Sequence, residues 1–110
     1  MLVDGEVMAR NLAANKLHRA GYMVLAAAHS KEALEIVRTY DGRIDLLIAD
    51  MNTPRTDGTE LCTTVTAERP DIRTCLMSAR ASDHDPASGS PFLLKPIDEE
   101  MLRKHFPELV

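Results

Sequence analysis

The chain has no Trp, two Phe, two Tyr, two Cys and five Gly among 110 residues. Cys62 and Cys75 form no CxxC, and each sits in an apolar pattern. That excludes a disulfide framework or a zinc ribbon and predicts buried free thiols in a reducing compartment. None of the glycines builds a GxGxxG or a P-loop, so nucleotide binding by those routes is excluded. The four His are dispersed, with no HExxH. Asp83-His84-Asp85 reads as a polar loop rather than a metal site. No run of Lys or Arg is present, and the formal charge is −4, from 13 basic against 17 acidic residues. A phosphate-backbone footprint for nucleic acid is therefore not expected. The longest apolar run, Tyr22 to Ala28, is too short to cross a bilayer. Asp4 and Glu6 stand where a signal peptide would be basic and then apolar. A cytoplasmic protein with no membrane partner is the expectation.

What is present fits one domain over residues 1–110, large enough to bury a core without staples. Short apolar runs at Tyr22–Ala27, Leu46–Asp50 and Thr74–Ser78 suit strands covered on both faces. Met1–Asp4 and Pro91–Lys95 resemble two more. Between them lie helical patterns. The first carries Met8, Leu12, Ala13, Leu17 and Ala20 and stops at Gly21. The second is capped by Ser30 and carries Ala33, Leu34 and Val37. The third carries Leu61, Cys62 and Val65 and is closed by Pro70. The last is capped by Asp98 and carries Met101, Leu102 and Phe106. This β-α alternation predicts a three-layer α/β fold: a five-stranded parallel sheet, doubly wound, with helices on both faces. Residues 79–90 hold no large apolar side chain, so the fourth crossover offers no stripe to the sheet. A surface loop is predicted there, with the fourth helix reduced or absent.

Ligands of open parallel sheets bind at the carboxyl ends of the strands. The residues at those ends are Asp4, Asp50, Ser78 and Lys95. Carboxylates bind hard cations such as Mg²⁺ and can accept a phosphoryl group. A lysine can hold a phosphoryl oxygen as a point charge, and a serine hydroxyl can donate one hydrogen bond. The four together describe a metal-assisted aspartyl phosphorylation site centred on Asp50.

Four blocks carry a family resemblance: Val3-Asp4-x-Glu6, Ile48-Ala49-Asp50-x-Asn52-x-Pro54-x-x-Asp57-Gly58, Met77-Ser78-Ala79 and Lys95-Pro96. In this order they resemble the signatures of the two-component response-regulator receiver domain, over essentially the whole chain. The resemblance implies the flavodoxin-like strand order 2-1-3-4-5. It implies that Asp50 accepts a phosphoryl group from a histidine kinase or phosphotransfer protein. Asp4, Asp50 and the backbone carbonyl of Asn52 would hold Mg²⁺. Ser78 and Lys95 would contact the phosphoryl group, with Lys95 joined to Pro96 by a cis bond. Ser78 and Phe92 would form the switch, read by a downstream protein, and Asn52 and Arg80 would tune how long the phosphoryl group lasts. Such a switch turns over no external metabolite and is not an enzyme in the ordinary sense.

Two departures stand out. Receivers usually carry a second acid after strand one, where this chain has Gly5; Glu6 is the candidate substitute. The short fourth crossover also removes a surface that typical receivers use. Both favour an alternative, a degenerate receiver acting as a phosphorylation-independent interaction module. A phosphatase with an aspartate nucleophile would want a second Asp at position 52, where Asn stands.

Overall fold

The computed structural model describes residues 1–51, 58–85, 87 and 91–109. Strand β1 (Leu2–Val3) leads to helix α1 (Val7–Arg19), then β2 (Ala26–Ala27) and α2 (Ser30–Thr39). Next come β3 (Leu46–Asp50), α3 (Gly58–Glu68) and β4 (Arg73–Ser78). A 3₁₀ turn, Ala81–Asp83, precedes β5 (Phe92–Leu94). The chain continues as α4 (Glu99–His105) and a 3₁₀ turn, Pro107–Leu109. The strands form one five-stranded sheet of order β2-β1-β3-β4-β5, every pairing parallel.

Side chains alternate across the pleat, and β3, buried at all five positions, shows why Leu46 to Ala49 are apolar without a break before Asp50. Leu46 and Ile48 join Leu17 of α1 and Leu102 and Phe106 in and after α4. Leu47 and Ala49 face the other way, against Ala33 and Val37 of α2 and Leu61 and Val65 of α3. Two apolar layers therefore flank the sheet, and neither face meets water at its centre.

Helix ends follow local chemistry. Gly21, at φ +100°, closes α1: its N–H reaches the His18 carbonyl, and the Tyr22 N–H reaches that of Leu17. Asp98 caps α4 by accepting from the Met101 N–H at 3.0 Å. The cap of α2 differs from expectation: Ser30 is its first residue, and His29 Nδ1 accepts from the Glu32 N–H at 3.2 Å. Its C-terminal end is held by Arg69, whose guanidinium donates to the carbonyls of Val37, Tyr40 and Gly42. These carbonyls would otherwise lack partners at a helix end, where a cation is favoured.

Two further expectations are corrected. Only Ala26 and Ala27 of the predicted strand Tyr22–Ala27 pair as β2, because β1 offers two residues, Leu2 and Val3, as partners. Of the stripe on α1, Met8 and Leu12 face solvent at 81% and 54% exposure. Leu17 is the buried residue of this helix, with Ala13 and Ala14 packed against the core. Among its described residues the fourth crossover carries 3₁₀ turn and no α-helix, as its lack of apolar side chains predicts.

Leu47→Ala is expected to cost about 2–5 kcal/mol, because it empties a fully buried position beneath α2 and α3. Met8→Ser is expected to stay within about 0.5 kcal/mol of the parent, although sequence periodicity alone would place both in the core. Urea unfolding of the two variants measures the contrast.

Candidate functional site

Three strands deliver charged side chains to the same edge. Asp4 follows β1, Asp50 ends β3 and Lys95 follows β5. Lys95 Nζ lies 2.7 Å from Asp4 Oδ2 and 2.9 Å from Asp50 Oδ2, so one ammonium bridges two carboxylates. Asp4 is 1% exposed and Asp50 6%. The remaining oxygen of Asp4 accepts from the Glu6 N–H at 2.9 Å, and its backbone carbonyl accepts from Arg10 Nη1 at 2.8 Å. Both contacts fix the turn from β1 into α1. Lys95 is anchored by its own N–H, which donates to the Ser78 carbonyl at 2.8 Å, and its bond to Pro96 is cis. Beneath Asp50, α3 begins with a glycine for steric reasons. A Cβ at Gly58 would stand 3.0 Å from the Asp50 carbonyl oxygen and 3.1 Å from a Leu76 methyl.

Burial works against the charged ammonium of Lys95. Hydrogen bonds and charge attraction from Asp4 and Asp50 outweigh it and hold its pKa above the ordinary lysine value.

Ser78 ends β4 and is fully buried. Its hydroxyl accepts from the Arg80 N–H at 3.1 Å and donates to Asp83 Oδ2 at 2.5 Å. Asp83 also meets Arg80 Nε at 3.3 Å. The next residue, His84, stacks on Phe92 with ring centres 4.8 Å apart and planes 8° from parallel. The edge thus joins a carboxylate–ammonium triad to a serine held by a neighbouring turn.

Residues 1–106 match the sequence pattern of the response regulator receiver domain. The chain belongs to this family. Among curated proteins it is 31% identical to the sensor kinase CckA of Brucella abortus (strain 2308) over 115 aligned positions. That match takes in 100% of this chain and 12% of the kinase. It is also 31% identical to the transcriptional regulatory protein YrkP of Bacillus subtilis (strain 168), covering 93% of this chain and 45% of that protein. The receiver therefore spans less than half the length of these curated relatives. The receiver domain crystal structure from the hybrid histidine kinase CckA is 34% identical, with a TM-score of 0.78, covering 97% of this chain and 94% of that one. The response regulator TrrA of Thermotoga maritima, crystallised with Mg²⁺-BeF, is 25% identical with a TM-score of 0.79. It covers 99% of this chain and 96% of that one.

The receiver fold accordingly brings Asp4, Asp50 and Lys95 into direct contact. Ser78 lies on the same edge but is bonded to Asp83, and Phe92 lies under His84. Glu6 is exposed at the start of α1. Asn52, Pro54 and Asp57 of the second block lie outside the described residues. Asp83 and His84 were legible only as members of a polar loop, since nothing in their spacing names Ser78 or Phe92 as partners. Among the described residues, no three His, Cys, Asp or Glu gather as a metal cluster, and Asp83, His84 and Asp85 do not form one. Both thiols are free. Burial, with the nearby Cys62 adding to it, pushes Cys75 up to about 12, and burial pushes Cys62 up to about 11. Cys75 is buried as expected, whereas Cys62 is half-buried. Among the described residues, no helix is long and apolar enough to cross a membrane.

The donor set fits Mg²⁺. That ion is commonly held by one or two carboxylates, with waters and phosphate oxygens completing its shell. Asp4 and Asp50 supply two such carboxylates within reach of one ammonium.

With its pKa raised on folding, Lys95 contributes stability below the unfolded lysine value and loses it as pH climbs through the folded one. The stability difference between the parent and Lys95→Met is expected to be flat from about pH 7 to 9 and to shrink above about pH 10.4. Urea titrations at several pH values provide the measurement.

Proposed function

We propose that this receiver is a phosphorylation-dependent switch that accepts a phosphoryl group on Asp50 from a sensor histidine kinase or phosphotransfer protein. It signals by binding a downstream protein from the cytoplasm, as a single unit over residues 1–110, and is not an enzyme acting on external metabolites. The observation that carries the reading is the Lys95 ammonium held between Asp4 and Asp50.

The chemistry needs little from the protein beyond placement and charge. An Asp50 carboxylate oxygen attacks phosphorus; its O–P bond forms as the donor's P–N bond breaks. The bonding pair returns to the imidazole nitrogen, which takes up a proton from solvent. A carboxylate nucleophile, unlike a hydroxyl, needs no general base to take a proton from it. The phosphoryl group carries about −1.5 to −2 charge and replaces the −1 of the free Asp50 carboxylate, so the site beside Asp4 becomes more negative by roughly 0.5 to 1 unit. At roughly 4 Å and an effective dielectric near 20, each unit-charge pair is worth about 4 kcal/mol. Lys95 supplies one neutralising charge and can move from a carboxylate oxygen to a phosphoryl oxygen. Mg²⁺ bound by Asp4, Asp50 and the Asn52 carbonyl, with Glu6 or water in place of the acid missing at Gly5, would supply the rest.

Intact-protein mass after incubation with an acyl-phosphate donor and Mg²⁺ is expected to rise by one phosphoryl group, and Asp50→Asn is expected to abolish the gain. No gain in the parent would favour the phosphorylation-independent module, which should also keep its partner in Asp50→Asn. Gly5→Asp is expected to lower the Mg²⁺ concentration giving half-maximal phosphorylation; an unchanged midpoint would show that position 5 does not limit metal binding.

A further inference from the structure

We propose that Asp83 is a positioning residue that holds the Ser78 hydroxyl in reserve, so that the phosphoryl group on Asp50 must compete with it for one proton. The inference rests on the reading of Asp50 as phosphoacceptor and adds the residue that sets the threshold for switching.

A serine hydroxyl carries a single proton. Here that proton is directed to Asp83 Oδ2 over 2.5 Å. A phosphoryl oxygen is the same kind of acceptor, anionic and in need of donors. Ser78 cannot give its proton to both, so contact with the phosphoryl group requires release of Asp83. The competitor is held firmly. Its turn is closed by the Asp83 N–H to the Arg80 carbonyl and the His84 N–H to the Ala81 carbonyl, each at 3.1 Å. Arg80 Nε lies 3.3 Å from the same carboxylate oxygen. The neighbouring His84 is stacked on Phe92. Two consecutive residues of one short turn therefore grip the ends of adjacent strands, Ser78 on β4 and Phe92 on β5. Once Ser78 turns to the phosphoryl group, Asp83 loses that donor beside a newly added negative charge. The turn loosens, and His84 is drawn off Phe92. The truncated fourth crossover makes this possible, because Asp83 follows the strand end by only five residues.

Beryllofluoride with Mg²⁺ serves as the phosphoryl mimic, titrated by calorimetry against the parent, Asp83→Ala, Asp83→Asn, Ser78→Ala and the Ser78→Ala/Asp83→Ala double variant. Asp83→Ala is expected to bind about tenfold tighter than the parent, the scale of one charge-assisted hydrogen bond. The gain is expected to vanish in the Ser78→Ala background, which a merely structural or purely electrostatic role of Asp83 would not produce. Asp83→Asn, which keeps an acceptor and drops the charge, is expected to fall between and covers the case in which the alanine variant does not fold. Equal affinity of parent and both Asp83 variants, or the same gain with and without Ser78, overturns the proposal while leaving Asp50 as acceptor. If neither the parent nor any Asp83 variant binds the mimic, the phosphoacceptor reading itself fails and this inference falls with it. Binding by an Asp83 variant alone supports both.

Discussion

Two carboxylates buried at the ends of neighbouring strands repel each other in a medium that screens poorly, and the rest of the edge is arranged around their shared cation. Asp4 and Asp50 belong to β1 and β3, which pair directly; Lys95 follows β5, two strands away from β3. At about 4.8 Å between strands, only a long side chain crosses that distance. The strand order thus makes the sequence positions of these residues irrelevant and their strand ends decisive. An unpaired buried charge is costly, whereas a paired one is tolerated. Lys95 offsets the repulsion between the two acids, which ties the sheet to the chemistry at its edge.

The second constraint is the cover on β4 and β5. A parallel sheet is ordinarily shielded on both faces. Here the fourth crossover spends its described residues on a 3₁₀ turn, and Leu94 at the end of β5 is 43% exposed. Phe92 is the register partner of Leu76, which packs on the α2–α3 side. The ring of His84 lies over Phe92 and takes over part of the shielding that a helix would give. The residue that shields Phe92 adjoins the one that holds Ser78, so cover and control share one short turn. A full helix in that place would shield the sheet but would have to hold Ser78 by other means.

The parallel alternation was legible because β3 and β4 are continuous apolar runs and because Gly21 and Asp98 punctuate helices where expected. Asp4, Asp50 and Lys95 were legible for a related reason: each ends or follows an apolar run, and strand ends converge. Other features depend on partners far away in the chain. The extent of β2 is set by how much of β1 stands opposite, which Tyr22–Ala27 does not encode. Met8 and Leu12 satisfy a helical period, yet Leu17, Ala13 and Ala14 suffice to seat α1, leaving the other two outside. Arg69 holds α2 from the far end of the next helix, and a lone arginine after a helix carries no mark of its target. The Ser78–Asp83 contact is invisible for a different reason: a polar loop tells which residues avoid the core, not which hydroxyl they accept from.

The glycine at position 5 has two consequences of opposite sign on the proposed reading. An acid there would attract a divalent cation, and it would also repel a phosphoryl group. For comparable separations the first effect scales with a charge of +2. The second scales with the net change on phosphorylation, about −0.5 to −1, because the group's −1.5 to −2 replaces the −1 of the free carboxylate. The attraction is therefore the larger effect, with or without the phosphoryl group. Gly5 weakens cation binding and recovers only part of that loss by repelling the phosphoryl group less. The direct attraction between cation and phosphoryl group does not depend on a third charge. The substitution therefore lowers occupancy by a metal held in advance and leaves the coupling between the two as it was, a property set by charge arithmetic rather than by any change in fold.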